Sequence, residues 1–257
     1  MWRYVRPLSQ AAVGTTVTVA GARIRIPGPR LIRLSVVAGN MRVQRLMDET
    51  LRPGASVIDV GANVGYNAVY AARRVGPTGH VLALEPAADN VAILRENIAA
   101  NGLNNIVVQP IAAGRAHDVQ ELFLRGEMSA VNSLFRESIY GPITAVQQVR
   151  VSPLDDLVEA GPDLVKIDVE GAELDVLAGM RRLVSRHAFP MIVEWHPELQ
   201  LLAGYQPDAL PRMLLDHGFS LHVAWHTHLT KLSASDIDIA ISRLSRARRS
   251  VELLARR

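Results

Sequence analysis

Three short stretches concentrate the side chains that could do chemistry. In Asp163-Leu-Val-Lys-Ile-Asp-Val-Glu-Gly-Ala-Glu-Leu-Asp175, Lys166, Asp168 and Glu170 stand two residues apart, so on a strand they share one face. Phe189-Pro-Met-Ile-Val-Glu-Trp-His196 repeats the spacing with Glu194 and His196. If the two strands are neighbours, Asp168, Glu170, Glu194 and His196 gather at the carboxyl edge of a sheet, where open α/β sheets bind ligands. Such a group can take a proton from an acceptor hydroxyl. His196 is the favoured base because an imidazole titrates near neutrality unaided. Glu194 and Asp168 would orient it, or one of them would serve instead after burial and mutual repulsion raise its pKa. Glu170, Glu194 and His196 also suit substrate binding or a divalent cation held against an acceptor oxygen. The plainer alternative is a structural ion network, since a lysine inside a buried strand needs counter-charges.

The third stretch is Val57-Ile-Asp-Val-Gly-Ala-Asn-Val-Gly-Tyr-Asn67. An apolar run, a glycine turn and a helical pattern follow one another, the geometry that brings backbone N–H groups and a helix start against a ligand. A dinucleotide fingerprint would need G-x-G-x-x-G. Counting from Gly61, its second and third glycine positions hold Asn63 and Tyr66, and Asp59 would face a pyrophosphate. A carboxylate there suits a ligand with a cationic end better than one with two phosphates. The D-x-G-x-N-x-G form resembles the first motif of class I S-adenosylmethionine-dependent methyltransferases. That resemblance places Asp59 near the amino end of the methionine moiety, with the backbone of the turn (Gly61, Asn63, Val64, Gly65) receiving its carboxylate. The ordinary alternative is a strand–helix turn with Asp59 as a local cap. Glu85-Pro86 follows at the separation from which an acid reaches a ribose hydroxyl pair. Small residues near Ala112, just past the third strand, would let an adenine ring lie flat or simply pack closely. The long polar stretch from Arg125 to Ala145 reads as a lid contributing Asn132 and Ser133 to cofactor or substrate.

Lys166-Ile-Asp-Val-Glu-Gly-Ala-Glu-Leu174, following the glycine turn, Glu85-Pro86 and Leu154-Asp-Asp-Leu157 in order, is similar to the FkbM family of S-adenosylmethionine-dependent methyltransferases. A threonine usually precedes the leucine–aspartate pair in that family, where this chain has Ser152-Pro153. The likeness runs from about Ser56 to Glu198. It implies a Rossmann-like α/β fold with a seven-stranded, mostly parallel sheet, an antiparallel edge strand and flanking helices. It also implies S-adenosyl-L-methionine as cofactor, S-adenosyl-L-homocysteine as product, and O-methylation of a sugar or secondary metabolite. The weighed alternatives are a nicotinamide-dependent oxidoreductase, an RNA or DNA methyltransferase, and a non-catalytic cofactor-binding protein.

The elements that must position these residues follow from periodicity. Thr15 to Ile26 alternates around Ala20-Gly21, as a β-hairpin does. Leu31 to Leu51 is helical, or two helices broken near Gly39-Asn40. Residues 1–50 thus form a hairpin and helical lead-in, and 51–257 the catalytic domain. Val57–Val60, His80–Leu84, Ile106–Val108, Leu164–Val169 and Phe189–His196 read as buried strands. Gln120–Leu124 and Gln147–Val151 flank the lid. Phe219–Trp225 alternates as a strand with His226-x-His228 at its end, a pair more often loop than metal site. From Ile239 onward an Arg-rich terminal helix is expected, with Leu244, Val251 and Leu254 inward.

At 257 residues, 49% hydrophobic and 21% charged, the chain can bury a full core. The net charge of +3 gathers in the C-terminal arginines, and with only 5% aromatic residues a nucleic-acid partner is not favoured. The absence of cysteine excludes disulfides, thiolate metal sites and cysteine nucleophiles. No apolar run approaches a membrane span. Met1–Pro7 lacks the apolar stretch of a signal peptide. The expectation is a cytoplasmic enzyme, able to assemble as a homodimer, acting on a small-molecule or glycoside substrate.

Overall fold

The computed structural model describes residues 15–27, 30–125, 131–225, 228–247 and 249–257. The Met1–Pro7 start, Ser129 of the expected lid and His226 of the His-x-His pair lie outside these. The hairpin forms as β1 (Thr15–Val19) and β2 (Ala22–Ile26). Its two turn residues, Ala20 and Gly21, have φ of 47° and 77°, the mirror-image turn whose twist matches paired strands. Helix α1 (Arg30–Thr50) is continuous through Gly39-Asn40, the first of the two expected arrangements. A glycine costs a helix only about 1 kcal/mol, and Val43, Leu46, Met47 and Leu51 bury themselves against β3 (Ser56–Val60) and α2 (Tyr66–Val75).

Strand β4 (His80–Leu84), α3 (Ala88–Ala100) and β5 (Ile106–Gln109) complete the first half. Next come β6 (Ala112–Ala113), β7 (Asp118–Leu124) and β8 (Ala145–Ser152), which pair as a separate small sheet in the order β6-β8-β7. The second half runs β9 (Leu164–Ile167), α4 (Glu173–Ala178), α5 (Arg181–Arg186), β10 (Met191–Trp195), α6 (Pro197–Leu202) and α7 (Ala209–Asp216). It closes with β11 (Ser220–Ala224), β12 (Leu229–Leu232), α8 (Ile237–Ala247) and β13 (Val251–Arg256).

The main sheet has eight strands in the order β12-β11-β13-β10-β9-β3-β4-β5. Strands β5, β4, β3, β9 and β10 are parallel, and β13 runs antiparallel between β10 and β11. Two expectations are corrected here. The terminal helix stops at Ala247, and Val251–Ala255 forms a strand buried on both faces. An apolar run of that length is ambiguous between helix and strand, and the open slot between β10 and β11 decides it. One antiparallel strand, β13, is internal, and a second, β12, pairs antiparallel with β11 at the edge, so the sheet has eight strands rather than seven.

Alternate strand residues feed two cores. Ile58, Val60, Val165, Ile167, Met191 and Val193 meet the α4, α5, α7 and α8 side. Val57, Val81, Leu164, Ile192 and Leu254 meet α1 and α2. Fully burying such a side chain is worth about 1.5–3 kcal/mol. The strand carboxyl ends of β3, β4, β9 and β10 are thereby held in one rigid row. Among the described residues, no helix is long and apolar enough to cross a membrane.

Candidate active site

The turn after β3 is built from residues that accept left-handed backbone: Gly61, Asn63 and Gly65 have φ of 78°, 51° and 87°. A Cβ on Gly61 would stand 1.9 Å from the Asp168 carbonyl oxygen, and one on Gly65 would stand 2.2 Å from Leu94 Cδ1. Both sites require glycine because neighbouring chain occupies the space. The N–H groups of Gly61 and Ala62 donate to the Leu84 carbonyl at 3.0 and 2.9 Å. That of Asn63 donates to Glu85 Oε2 at 2.8 Å, Val64 to Asn63 Oδ1 at 2.6 Å, and Gly65 to the Ala62 carbonyl at 2.8 Å. These N–H groups thus have partners within the chain, at Leu84, Glu85 and the turn itself. The motif shapes the cavity wall more than it donates to it.

Glu85, at the end of β4, is 5% exposed and lines the cavity. Its other oxygen accepts from Ala87 N at 2.9 Å and Asn90 Nδ2 at 3.1 Å. Burial raises its pKa, against the pull of those three N–H groups. Pro86 and Ala112 line the same cavity beside Ile111, Ala113 and Val131, an apolar strip suited to a flat base. The cavity encloses about 320 Å³, within the range of cofactor sites.

Its floor is acidic. Asp168, Glu170 and Glu194 each bring a carboxylate oxygen within 4.8 Å of the others, close enough to hold a divalent cation. Asp168 and Glu194 arrive just past β9 and within β10, as the strand reading implied. Glu170 arrives differently. The strand ends at Ile167, and a bend with φ of 55° at Glu170 and 106° at Gly171 turns it inward. Glu173, 2% exposed, braces that bend by accepting from Val169 N and Gly171 N, each at 3.2 Å. Burial, then repulsion from Asp168, drives the pKa of both Glu170 and Glu194 well up. Lys166 Nζ lies 3.2 Å from Asp168 and 3.3 Å from Asp59. Burial alone would lower its pKa, but the two carboxylates outweigh that and raise it.

His196 is not among the described residues lining the cavity. It is 5% exposed, caps the start of α6, and burial lowers its pKa. The sheet edge brings together three of the four expected groups and leaves out the imidazole. Asp59 is also absent from the described lining: it is wholly buried behind Lys166.

Part of the segment expected as a lid, residues 131–145, is described, and Asn132, Ser133 and Tyr140 from it line the cavity. Arg125, 5% exposed, donates to the carbonyls of Phe135, Arg136 and Gly141 and so folds the segment over the floor. Asn132 lines the cavity while its Oδ1 accepts from Arg125 N at 3.0 Å. Ser133 Oγ donates to the Glu170 carbonyl at 2.7 Å. Several lining residues had no motif to announce them. Tyr140 comes from the lid, and its hydroxyl pKa is pushed up by burial and then by Glu170, Glu194 and Asp168. Arg42 comes from α1, Ser250 from just before β13 and Glu252 from its start. Glu252 faces Glu194 across the β10–β13 pair and takes an ion pair from Arg42 at 2.8 Å. An acid inside the apolar run Val251–Ala255 was the one available signal.

Residues 59–221 match the family described as the methyltransferase FkbM domain. The chain belongs to the FkbM methyltransferase family. Hexuronic acid methyltransferase AglP of Haloferax volcanii is 31% identical over 187 residues, covering 71% of this chain and 70% of AglP. A SAM-dependent methyltransferase from Aquifex aeolicus shares the fold at TM-score 0.50 and 14% identity, over 89% of this chain and 97% of that one. The FkbM methyltransferase from Methylobacillus flagellatus KT aligns at TM-score 0.49 and 17% identity. The alignment covers 89% of this chain but about half, 55%, of that protein. This FkbM chain is thus an S-adenosylmethionine-dependent methyltransferase, and the oxidoreductase alternative falls. Its cavity fits the donor: the glycine turn, Glu85 and the apolar strip surround space for a nucleoside, and the acids would suit a positively charged sulfur.

Proposed function

We propose that this FkbM enzyme methylates a hydroxyl oxygen of a sugar or sugar-bearing metabolite, with Glu194 taking the hydroxyl proton. The observation that carries this reading is the convergence of Asp168, Glu170 and Glu194 on one floor. Lys166 lies against Asp168, whereas the Ser250 hydroxyl is the group that steadies Glu194. A carboxylate in that setting, its pKa raised, can accept a proton near neutral pH. S-adenosylmethionine supplies a methyl group already activated by its positive sulfur. The chain's own residues then have three tasks. Glu85 and the glycine turn hold the nucleoside end, Asp168 and Glu170 orient the acceptor, and Glu194 removes its proton. Orientation is worth several powers of ten, and the base a further ~10²–10⁴. The name of the Haloferax relative supports a sugar acceptor.

The test is transfer of labelled methyl to a panel of glycosides and hexuronates, with the product's methyl carbon located by NMR. A methyl on nitrogen, or a Glu194→Gln rate equal to wild type, would overturn the reading. RNA as the preferred acceptor, with affinity falling steeply with salt, would overturn it too. Loss of transfer in EDTA, restored by magnesium, would give the acid floor to a divalent cation.

A further inference from the structure

We propose that Lys166 is a positioning residue that seats the donor-binding turn on the acid floor, and that Asp59 is its buried counter-ion rather than a ligand of the methyl donor. An ammonium offers three N–H donors. Lys166 Nζ, on a residue 2% exposed, has three oxygens around it: the Gly61 carbonyl at 3.1 Å, Asp168 Oδ2 at 3.2 Å and Asp59 Oδ1 at 3.3 Å. The Gly61 contact is a hydrogen bond and the two carboxylates are ion-pair partners, one partner from each part it joins. Asp59 is 0% exposed and is not among the described residues lining the cavity. Neither of its oxygens has a hydrogen bond of good geometry among the described residues, so its tie to Lys166 is chiefly Coulombic. The two are register partners on the parallel pair β3–β9, which sets their side chains on the same face.

The turn and the tip of β9 already touch. The Gly61 φ of 78° and the 1.9 Å separation that a Cβ would have from the Asp168 carbonyl leave no room between them. The Lys166–Gly61 hydrogen bond closes this contact from the other side. A displaced Lys166 would release the turn on one side and Asp168 on the other. Removing Lys166 alone would strand a wholly buried carboxylate, which is costly whatever the function. The informative background is therefore Asp59→Asn, which keeps shape and removes that charge. This inference concerns the donor side and stands apart from the acceptor assignment.

The experiment measures S-adenosylhomocysteine binding by calorimetry, melting temperature, and amide exchange of the 61–65 segment. Asp59→Asn should bind within about three-fold of wild type, a free-energy change under about 1 kcal/mol. Asp59→Asn/Lys166→Met should bind at least about ten-fold more weakly, the loss of one charge-assisted hydrogen bond. Exchange at 61–65 should quicken there while the β4 and β10 amides stay protected, a selective change that general destabilisation would not produce. Lys166→Arg keeps the charge but not the three-cornered fit and should weaken binding in the same direction, which decides the matter if the double variant does not fold. Asp59→Asn losing about thirty-fold or more in affinity at an unchanged melting temperature would make Asp59 a donor ligand and overturn the proposal. Wild-type binding in the Lys166 variants would overturn it equally.

Discussion

Glu173 offers a sharp test of how the acid floor is held. Its carboxyl is 2% exposed, and burial, ahead of the three backbone N–H groups (its own, Gly171 and Val169) that pull the other way, pushes its pKa from 4.5 to about 7. The folded chain therefore keeps this proton over a range in which the unfolded chain has released it. Stability from that bound proton is fully present below pH 4.5 and is lost as pH rises through about 7. A gap of about 2.5 pH units, at ~1.4 kcal/mol each, sets a ceiling of about 3 kcal/mol. Glu173→Gln keeps an oxygen for Val169 N and Gly171 N but cannot ionise. Its stability relative to wild type should therefore rise between pH 4 and pH 8 by up to about 3 kcal/mol, or roughly 6–12 °C in melting temperature for a chain of this size. Paired thermal melts across that range measure the difference. A difference that stays flat with pH, or falls, would refute the burial argument.

Three further outcomes follow from the same geometry. Arg42→Ala leaves Glu252, whose side chain is 10% exposed, without its cation, and should cost about 3 kcal/mol in urea unfolding; Arg42→Leu/Glu252→Leu should recover most of it. Gly61→Ala drives a Cβ into the Asp168 carbonyl, so the variant should melt lower and show no thermal shift with S-adenosylhomocysteine. In the transfer assay His196→Gln should lower the rate less than about ten-fold, whereas Glu194→Gln should lower it by ~10²–10⁴; equal losses would return the base to the imidazole.

Local chemistry in the chain settles a good deal. Gly61 and Gly65 announce the turn because left-handed backbone there admits little else. Runs such as Val57–Val60 and His80–Leu84 announce buried parallel strands because every second residue on either face is apolar. Two-residue spacing announces that Asp168 and Glu194 leave their strands toward one edge, and the ordered motifs identify the FkbM family. Long-range packing settles the rest. Whether Val251–Ala255 is helix or strand depends on an empty slot between β10 and β11 that no local pattern contains. Gly39-Asn40 stays helical because the residues after it pack on β3 and α2. Tyr140, Arg42 and Glu252 reach the cavity only through the folding of the lid, α1 and β13, while His196, one residue past β10, turns into the start of α6 instead. Asp59 carries the motif's most visible charge, yet a lysine 107 residues later takes it up. Residue types and their spacing determined the fold family and the donor; which charges meet in the cavity was decided by tertiary contacts, because the energy of a buried charge depends on neighbours that lie far away along the chain.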